Sequence, residues 1–533
     1  MSTSTAPRYD AIIVGAGFAG LYMLHRLRSA GIWARVFEAG SGVGGTWFWN
    51  RYPGARCDVE SMEYSYQFSP ELEQEWEWSE RYAPQAEILA YANHVADRFD
   101  LRGDIELDTR VLSAHYASDH CEWSVTTARG TAHARFCIMA TGCLSSTNTP
   151  RFAGLADYRG RTFHTGNWPH AGVDFSARVV GVIGTGSSAI QSIPIIAGQA
   201  RHLYVFQRTA NFSVPAQNAP LAAEVQAGIK AHYGDLRSHA WQQPFGSNLE
   251  FGTQSALAVS AVEREQEFER RWQKGGLAFL GAYIDLITDQ RANAQAAEFI
   301  RNKIRAIVND PATAESLCPT YLVGCKRLCA DTEYFATFNR PNVSLVDIRT
   351  HAIERFTCEG LTTGGRAFAL DDVVFATGFD AMTGALDRID IRGRDGLRLR
   401  DKWAAGPRTY LGLGTAGFPN LFTITGPGSP SVLSNMLPSI EQHVNWIADC
   451  IAWLGKRDYR AIEATAAAEE AWVAHVNEVA HTTLYPHCNS WYLGANVPGK
   501  PRVFMPYAGV PPYVAKCNAV AANAYEGFAL ARA

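Results

Sequence analysis

Two glycine-rich stretches have the residue types and spacing that bind the pyrophosphate of a dinucleotide. The first is Gly15–Gly20, with the sequence GAGFAG, and the second is Gly184–Gln191, with the sequence GTGSSAIQ. Each one follows an apolar strand pattern and precedes a helix pattern, which is the context that favours a nucleotide site. A glycine turn without a ligand is the alternative interpretation. Two such sites in one chain indicate two redox cofactors that must meet.

A charged residue follows each stretch at a similar distance. Glu38 lies 23 residues after Gly15, at the end of a strand pattern, where an acid can accept the ribose hydroxyls of an adenosine. Arg208 lies 24 residues after Gly184, where a cation attracts a 2′-phosphate. The second site is therefore predicted to prefer NADPH over NADH, the alternative being that Arg208 is a solvated surface residue.

Two further stretches could position a flat ligand and a charge. Gly42–Asp58 combines paired glycines, tryptophans, Arg56 and an acid, although an aromatic core corner with a surface ion pair has the same composition. Lys326 and Arg327 follow a glycine and could serve phosphate binding and catalysis. By composition alone, a solvated basic pair is the more frequent situation for two such residues.

The elements that must position these residues follow a repeated pattern. An apolar strand ending in Ala-Thr-Gly occurs at residues 140–142 and again at residues 376–378. This repeat predicts two related nucleotide domains, in each of which a strand end returns to the ligand. Residues 219–309 have helical periodicity and are interpreted as an insertion into the second domain. The Gly/Pro/Ser loop at residues 426–431 and the segment around Trp491 are predicted to be ligand-binding loops.

The fold class is therefore predicted to be α/β, with two Rossmann-like dinucleotide-binding domains and a helical insertion in the second, NADP-binding domain. The family resemblance of the motifs implies FAD as the ligand of the first domain. The 533 residues are more than one ordinary core accommodates. We expect the FAD-binding domain at residues 1–150 and 386–533, the NADP-binding domain at 151–218 and 325–385, and the insertion at 219–324.

Composition narrows the classes of partner. A hydrophobic content of 47%, a charged content of 19% and a net charge of −4 indicate a globular chain with no reason to bind nucleic acid or an anionic membrane. No apolar run approaches membrane-spanning length, and the N-terminus lacks a signal-peptide layout. The 11 cysteines form no Cys-x-x-Cys pair and no zinc set, so we expect free thiols, no metal and a reducing, cytoplasmic location.

Taken together, the motifs resemble the type I Baeyer–Villiger monooxygenases, flavoproteins that insert oxygen beside a ketone. Residues Tyr158–Pro169 read Y-x-G-x-x-x-H-x-x-x-W-P, which matches the family fingerprint except that the family has Phe in first place. Gly44–Asp58 matches a second family signature, and the other motifs match in order over almost the whole chain. The chain is most similar to the phenylacetone monooxygenase branch, with Cys143 standing where glutamine is expected there.

The resemblance implies that NADPH reduces FAD, that O2 then gives a C4a-peroxyflavin, and that a ketone becomes an ester or lactone. It implies Arg327 as the catalytic cation and Asp58 as the residue that orients it. The implied FAD-binding residues are Gly15, Gly17, Phe18, Gly20, Glu38, Gly45, Thr46, Trp47, Asp58, Tyr64, Val111 and Met436. The implied NADP-binding residues are Arg56, Gly184, Thr185, Gly186, Ser187, Ser188, Gln191, Arg208, Thr209, Lys326, Arg327 and Trp491. The implied substrate residues are Val59, Cys143, Leu144, Ser431, Val432 and Leu433.

Two other functions stay open at this point. A sulfide- or amine-oxidising flavin monooxygenase would carry the same two cofactors, and a non-catalytic sensor would bind FAD and NADP without turnover. Formation of an ester that depends on both ketone and NADPH separates a Baeyer–Villiger monooxygenase from both alternatives. The expected partners are a small ketone and O2, and the expected assembly is a monomer.

Overall fold

The structure, a computed structural model, describes residues 6–532. The chain begins with a strand, a glycine turn and a helix, as the sequence predicts for the first nucleotide site. The elements of this first part are β1 (Arg8–Val14), α1 (Phe18–Ser29), β2 (Ala34–Phe37), α2 (Thr46–Trp49), α3 (Pro70–Glu75), α4 (Gln85–Arg98), β3 (Ile105–Glu106), β4 (Val111–Ala117), β5 (Glu122–Thr127) and β6 (Gly130–Met139).

The second nucleotide site and the helical block follow. The second strand–turn–helix unit and its neighbours are β7 (Arg161–His164), β8 (Val179–Ile183), α5 (Ser187–Gln199), β9 (His202–Gln207) and β10 (Ser213–Pro215). The helical block consists of α6 (Ala223–Ala231), α7 (Tyr233–Ala240), α8 (Ala261–Lys274), α9 (Gln290–Ile307) and α10 (Pro311–Leu317).

The rest of the chain first completes the second unit and then returns to the first. The elements that complete the second unit are β11 (Cys329–Asp331), α11 (Tyr334–Thr337), β12 (Val343–Asp347), β13 (Ile353–Thr357), β14 (Gly360–Thr363), β15 (Arg366–Ala369) and β16 (Asp372–Phe375). The last elements are α12 (Gly384–Asp387), β17 (Asp390–Arg392), α13 (Leu399–Lys402), β18 (Leu421–Thr423), α14 (Met436–Gly455), β19 (Tyr459–Ala464), α15 (Ala466–His481), α16 (Val510–Ala522) and β20 (Phe528–Arg532).

Two sheets carry the nucleotide sites. The first has the order β17-β4-β5-β6-β1-β2-β3, with β18 also paired to β6, and its β1 lies parallel to both neighbours. The second has the order β12-β9-β8-β16-β7, and its neighbouring strands are parallel. Because parallel strands place their carboxyl ends at one edge, each glycine turn opens at that edge of its sheet. This confirms the predicted fold class.

The helical block packs against both parts of the molecule. Phe268 of α8 and Phe299 of α9 share a core with Val182 of the second sheet. Tyr233 of α7 instead joins the core of the first part, and Arg237 donates to Glu73 at 2.9 Å, with both side chains about one-tenth exposed. The block therefore contacts both parts of the molecule.

One sequence expectation is wrong. Cys325 and Cys488, 163 residues apart, form a disulfide with their Cα atoms at 5.4 Å. The expectation of free thiols rested on the missing Cys-x-x-Cys motif, yet a bond that closes so long a loop leaves no local spacing signal. The other cysteines of the described chain are free. None of its helices is long and apolar enough to cross a membrane.

Candidate active site

The first glycine turn is shaped for close approach of a ligand. Gly15 has a φ of +106°, and a Cβ placed on it would lie 2.6 Å from the Ala140 carbonyl oxygen. Gly17 faces Gly45 so closely that a Cβ on Gly45 would lie 2.8 Å from the Gly17 Cα atom. A side chain at Gly15 or Gly45 would collide with neighbouring backbone, so only glycine permits a turn this tight. A tight glycine turn between a strand and a helix fits the pyrophosphate of FAD.

Glu38 ends β2 beside this turn, as the sequence predicts. Its carboxylate accepts the Ala16 and Gly40 backbone N–H groups, both at 2.7 Å, and the residue is only 5% exposed. Burial raises the pKa of Glu38, whereas the two N–H groups favour the ionised form. The carboxylate is thus held at the strand end, where it can accept ribose hydroxyls.

The remaining predicted FAD residues lie in the first part of the chain and in α14. Phe18 begins α1 and meets the Tyr64 ring edge-on at 5.9 Å, and the Trp47 indole donates to the Tyr64 hydroxyl at 3.1 Å. The others lie at element starts or in the core: Gly20 in α1, Thr46 at the start of α2, Val111 in the core beside Phe37, and Met436 at the start of α14.

The second glycine turn repeats the geometry of the first. Gly184 has a φ of +112°, and a Cβ on it would lie 2.4 Å from the Ala376 carbonyl oxygen. A Cβ on Gly186 would meet no atom of the described chain within 4 Å, so this position is open toward a ligand. Ser187 begins α5, and the Ser188 hydroxyl lies 3.0 Å from that of Thr165. The turn fits a second dinucleotide.

Two cations converge beside this turn. Arg208 is exposed at the end of β9, next to Thr209, whose carbonyl accepts the Thr185 hydroxyl at 2.7 Å. The Lys326 ammonium lies 4.6 Å from the centre of the Tyr321 ring. Burial and, secondarily, the charge of Arg208 lower the pKa of Lys326. A bound anion such as a 2′-phosphate would stabilise the charged forms of both side chains.

The fingerprint at Tyr158–Pro169 forms the joint between the two nucleotide sites. The Trp168 backbone N–H donates to the Trp49 carbonyl at 3.4 Å. Near it, the Gln191 amide donates to the Arg56 carbonyl at 3.1 Å, and Gln191 also accepts the Tyr52 hydroxyl at 2.8 Å. Two residues of the Gly44–Asp58 signature are thereby tied to α5, the helix that follows the glycine turn of the second site.

Arg327 and Asp58 form a partly buried charged pair, with side chains 23% and 16% exposed. Arg327 donates from Nε to Asp58 at 2.6 Å and from Nη2 to the other carboxylate oxygen, a two-point contact. Its Nη1 donates to the Val432 carbonyl at 3.3 Å. Burial alone would lower the pKa of Arg327, but Asp58 raises it above its ordinary value. The guanidinium is thus a fixed cation with one nitrogen directed at the predicted substrate loop.

The predicted substrate residues gather on two strand-end loops. Cys143 is 8% exposed, and its carbonyl accepts the Met382 N–H at 2.9 Å. The Ser431 hydroxyl lies 3.9 Å from the Met382 sulfur, at the start of the short 3₁₀ turn that also contains Leu433. Leu144 and Leu433 pack against the same core, whereas Val59 follows Asp58 and is buried. Burial raises the pKa of the Cys143 thiol to about 11, so the thiol is uncharged. The two loops thus form an uncharged wall of the predicted substrate site.

Two predicted NADP residues are placed less directly. The Arg56 guanidinium is taken up by Glu80 and by the Tyr82 carbonyl, the latter at 2.7 Å, so only its own carbonyl contacts the second site. Trp491 begins a 3₁₀ turn and stacks tilted on Tyr492, with ring centres 4.3 Å apart.

Sequence reasoning missed Met382 and Glu80. Met382 lies four residues beyond the second Ala-Thr-Gly end, whereas Cys143 lies one residue beyond the first, so the repeat indicates the region of Met382 but not its position. Glu80 accepts from Asn218 as well as Arg56, and nothing in the local sequence marks it.

Comparisons with known proteins agree with this geometry. A family model described as "Pyridine nucleotide-disulphide oxidoreductase" matches residues 12–233. A Baeyer-Villiger monooxygenase of Pseudooceanicola batsensis is 44% identical, with 98% of this chain and 95% of that protein covered. A phenazine N-monooxygenase of Lysobacter antibioticus is 43% identical, with 98% and 97% covered. The solved structure described as "Oxidized steroid monooxygenase bound to NADP" is 53% identical, with 99% and 100% covered and a TM-score of 0.95.

Identity of this extent over nearly the whole length, together with two fitting dinucleotide cradles and the joint between them, establishes the relationship. The chain belongs to the flavin-dependent Baeyer–Villiger monooxygenase family.

Proposed function

We propose that this chain consumes NADPH, a proton, O2 and an apolar ketone and forms NADP⁺, water and an ester or lactone, with Arg327 as the cation of the oxygenation step. The observation that carries the proposal is the two-point pairing of Arg327 with Asp58, which leaves Nη1 directed at the Val432 carbonyl. Oxygen insertion develops negative charge on oxygen, and a preorganised guanidinium in a water-poor site stabilises that charge.

The division of labour follows from the two cradles. Bound FAD and NADPH supply the electrons and the oxygen chemistry, and the protein supplies binding, orientation and electrostatics. We assign FAD to the turn at Gly15–Gly20 with Glu38, and NADPH to the turn at Gly184–Gln191 with Arg208 and Lys326. Asp58 holds Arg327 in one orientation and keeps it charged, because removing the acid would leave a partly buried guanidinium without its counter-charge.

The substrate class follows from the character of the wall. Cys143, Met382 and Val432 are buried, and the thiol of Cys143 is neutral at physiological pH because burial raises its pKa. An uncharged wall next to a single fixed cation suits a ketone whose body is apolar and whose carbonyl is the polar group. We therefore propose aryl, alicyclic or steroid-sized ketones as the class to screen first.

A second candidate is N-oxidation of an aromatic heterocycle. The specific observation in its favour is the 43% identity to a phenazine N-monooxygenase over 98% of this chain. That reaction needs a nucleophilic substrate nitrogen, whereas oxygen insertion needs an electrophilic carbonyl. The two candidates therefore differ in the substrates that they accept and not in their cofactors.

The test is a panel of ketones and heterocycles incubated with NADPH and the FAD-loaded protein, with products identified by mass spectrometry. Ester or lactone formed in proportion to the NADPH consumed supports the first candidate. N-oxide formation without any ester supports the second. NADPH consumption that yields only hydrogen peroxide across the panel argues against both.

Three expectations stay predictions: the domain boundaries at residues 150, 218, 324 and 385, the monomeric state, and the cytoplasmic location. Size-exclusion chromatography with light scattering tests the second of these directly.

A further inference from the structure

The disulfide between Cys325 and Cys488 joins two segments that both contribute to the site. Cys325 lies two residues before Arg327, and Cys488 lies three residues before Trp491. Both cysteines are buried, with 4% and 8% exposure. The bond therefore connects the loop of the catalytic cation to the segment predicted to cover the nicotinamide nucleotide.

Elsewhere, this C-terminal segment is held by non-covalent contacts. The Asn496 amide donates to the Phe379 carbonyl at 2.6 Å and its carbonyl accepts the Asn148 amide at 3.0 Å. Lys500 pairs with Asp380. Such contacts exchange with water when a segment opens, whereas a covalent bond does not. Cys325–Cys488 is the contact that keeps the segment beside Arg327 through every opening of the others.

The position of this bond argues for more than general stability. A staple that only restricts the unfolded chain could join any two surface segments. This one instead lies within three residues of Arg327 on one side and of Trp491 on the other. Two tyrosines flank Cys488 in the sequence: the buried Tyr492 and the partly buried Tyr485, whose rings meet edge-on with their centres 5.7 Å apart. The covalent link thus ends in a packed aromatic layer beside the cation.

We propose that Cys325–Cys488 is a positioning bond that holds the Arg327 loop and the Trp491 segment together, so that NADPH oxidation leads to oxygen insertion and not to peroxide release. The inference rests on the proposed function. Its physical basis is that a fixed cation and exclusion of water both favour insertion over the competing loss of hydrogen peroxide. Opening the bond lets the two segments move apart while leaving both nucleotide cradles intact.

The bond is opened by a small dithiol. One thiolate attacks a sulfur of the disulfide, a mixed disulfide forms, and the second thiol of the reagent displaces the remaining protein thiolate. The reagent is oxidised to a cyclic disulfide, the protein gains two thiols, and two electrons and two protons are transferred. Removal of the reagent and mild oxidation reverse the reaction.

The experiment compares the FAD-loaded protein before and after dithiothreitol treatment. Thiol titration counts the two new thiols, and hydrogen exchange with mass spectrometry follows residues 321–328 and 485–505 in the absence of NADPH. We expect faster exchange in both segments after reduction. Stopped-flow reduction of the flavin at saturating NADPH, which offsets weaker binding through Lys326 and Trp491, should change less than twofold. The fraction of NADPH that ends as hydrogen peroxide should rise at least threefold and return on reoxidation.

Matched variants separate positioning from general damage. The double variant Cys325→Ser/Cys488→Ser should behave as the reduced protein does and should not respond to dithiothreitol. Cys358→Ser, which removes an exposed thiol elsewhere, should keep the full response. If the double variant does not fold, the reversible comparison in the unmutated protein still decides.

Three results would overturn the inference. The first is a lower melting temperature on reduction with unchanged exchange and unchanged peroxide release, which is the behaviour of a staple. The second is unequal response of the two segments, with the 485–505 segment unaffected. The third is purified protein that has both thiols free and is fully coupled. Absence of ester in either redox state would instead contradict the proposed function.

Discussion

Gly15 and Gly184 have the same positive φ conformation, and each lies against an alanine carbonyl oxygen that leaves no room for a side chain. Their φ angles are +106° and +112°, and a Cβ on either would collide with a carbonyl oxygen, that of Ala140 for the first and that of Ala376 for the second. Each of these alanines begins an Ala-Thr-Gly sequence. The repeat noticed in the sequence is therefore the repeat that shapes both nucleotide cradles.

The two glycines of the second turn should respond differently to alanine. Gly184→Ala should destabilise the fold by about 1 to 3 kcal/mol, because the new methyl meets backbone at a positive φ. Gly186→Ala should leave the melting temperature nearly unchanged but raise the KM for NADPH about tenfold, because the methyl projects into the space left for the ligand. Thermal unfolding beside steady-state kinetics measures both. Equal effects of the two variants on stability would contradict the assignment of the open side.

Arg208 should decide between the two nicotinamide coenzymes. Arg208→Ala should raise the KM for NADPH ten- to a hundredfold, which corresponds to the roughly 1.5–3 kcal/mol of a charge-assisted contact, and should hardly change that for NADH. Arg201→Ala, at another exposed arginine before β9, is the matched control. The assignment fails if both coenzymes weaken equally or if the unmutated protein prefers NADH.

Cys143 should influence which ketones react. Cys143→Leu adds volume at a buried position next to Met382, so large ketones should lose kcat/KM by about tenfold relative to small ones. The rate of flavin reduction by NADPH should stay the same. A ketone panel with chiral product analysis is the measurement, and Cys358→Leu is the exposed control. An unchanged substrate profile would place Cys143 outside the pocket.

Most residues of the candidate site could be predicted from the sequence, because a nucleotide-binding site depends on the local spacing of its residues. The glycine turns, Glu38, Arg208 and the strand-end repeat are all short-range patterns with a direct physical meaning. The Cys325–Cys488 bond and the contact of Arg327 with Val432 are not, because both join segments more than 100 residues apart. Only the folded chain brings such residues together, and composition alone would have placed Arg327 on the surface.

The burial of the Glu441 carboxyl could not be predicted from the sequence either. Because of this burial, we expect the stability of the fold to depend on pH. Burial on α14 raises its pKa from 4.5 to about 8, against an opposing hydrogen bond from the Gln67 N–H at 2.6 Å. Between these values the folded chain keeps a proton that the unfolded chain has lost. The free energy of unfolding should therefore fall as the pH rises toward 8, by at most about 1.4 kcal/mol per unit.

Removing the charge tests this directly. Glu441→Gln should flatten the decline between pH 5 and pH 8, as measured by urea unfolding, and should be the more stable protein at pH 8. Glu478→Gln, on an exposed position of α15, should keep the decline of the unmutated protein. A decline equally steep in the Glu441→Gln protein would assign the effect to other groups.

Asp58 should act through the orientation and charge of Arg327. Asp58→Asn keeps the size of the side chain but removes the counter-charge from a partly buried guanidinium. Ester formation should fall by about 10²-fold while FAD stays bound, since the Gly15 cradle is untouched. Flavin absorbance of the purified protein and product analysis check the two parts. Loss of FAD from this variant would assign Asp58 a structural role.

The most direct measurement of the central claim is stopped-flow flavin reduction beside product analysis for Arg327→Ala. The account predicts that FAD remains bound, that NADPH still reduces it, and that ester formation drops by about 10² to 10³, with hydrogen peroxide released instead. Arg327→Lys should be impaired as well, because an ammonium cannot reproduce the two-point contact with Asp58. Ester formation at a near-normal rate in the Arg327→Ala protein would contradict the assignment of the catalytic cation.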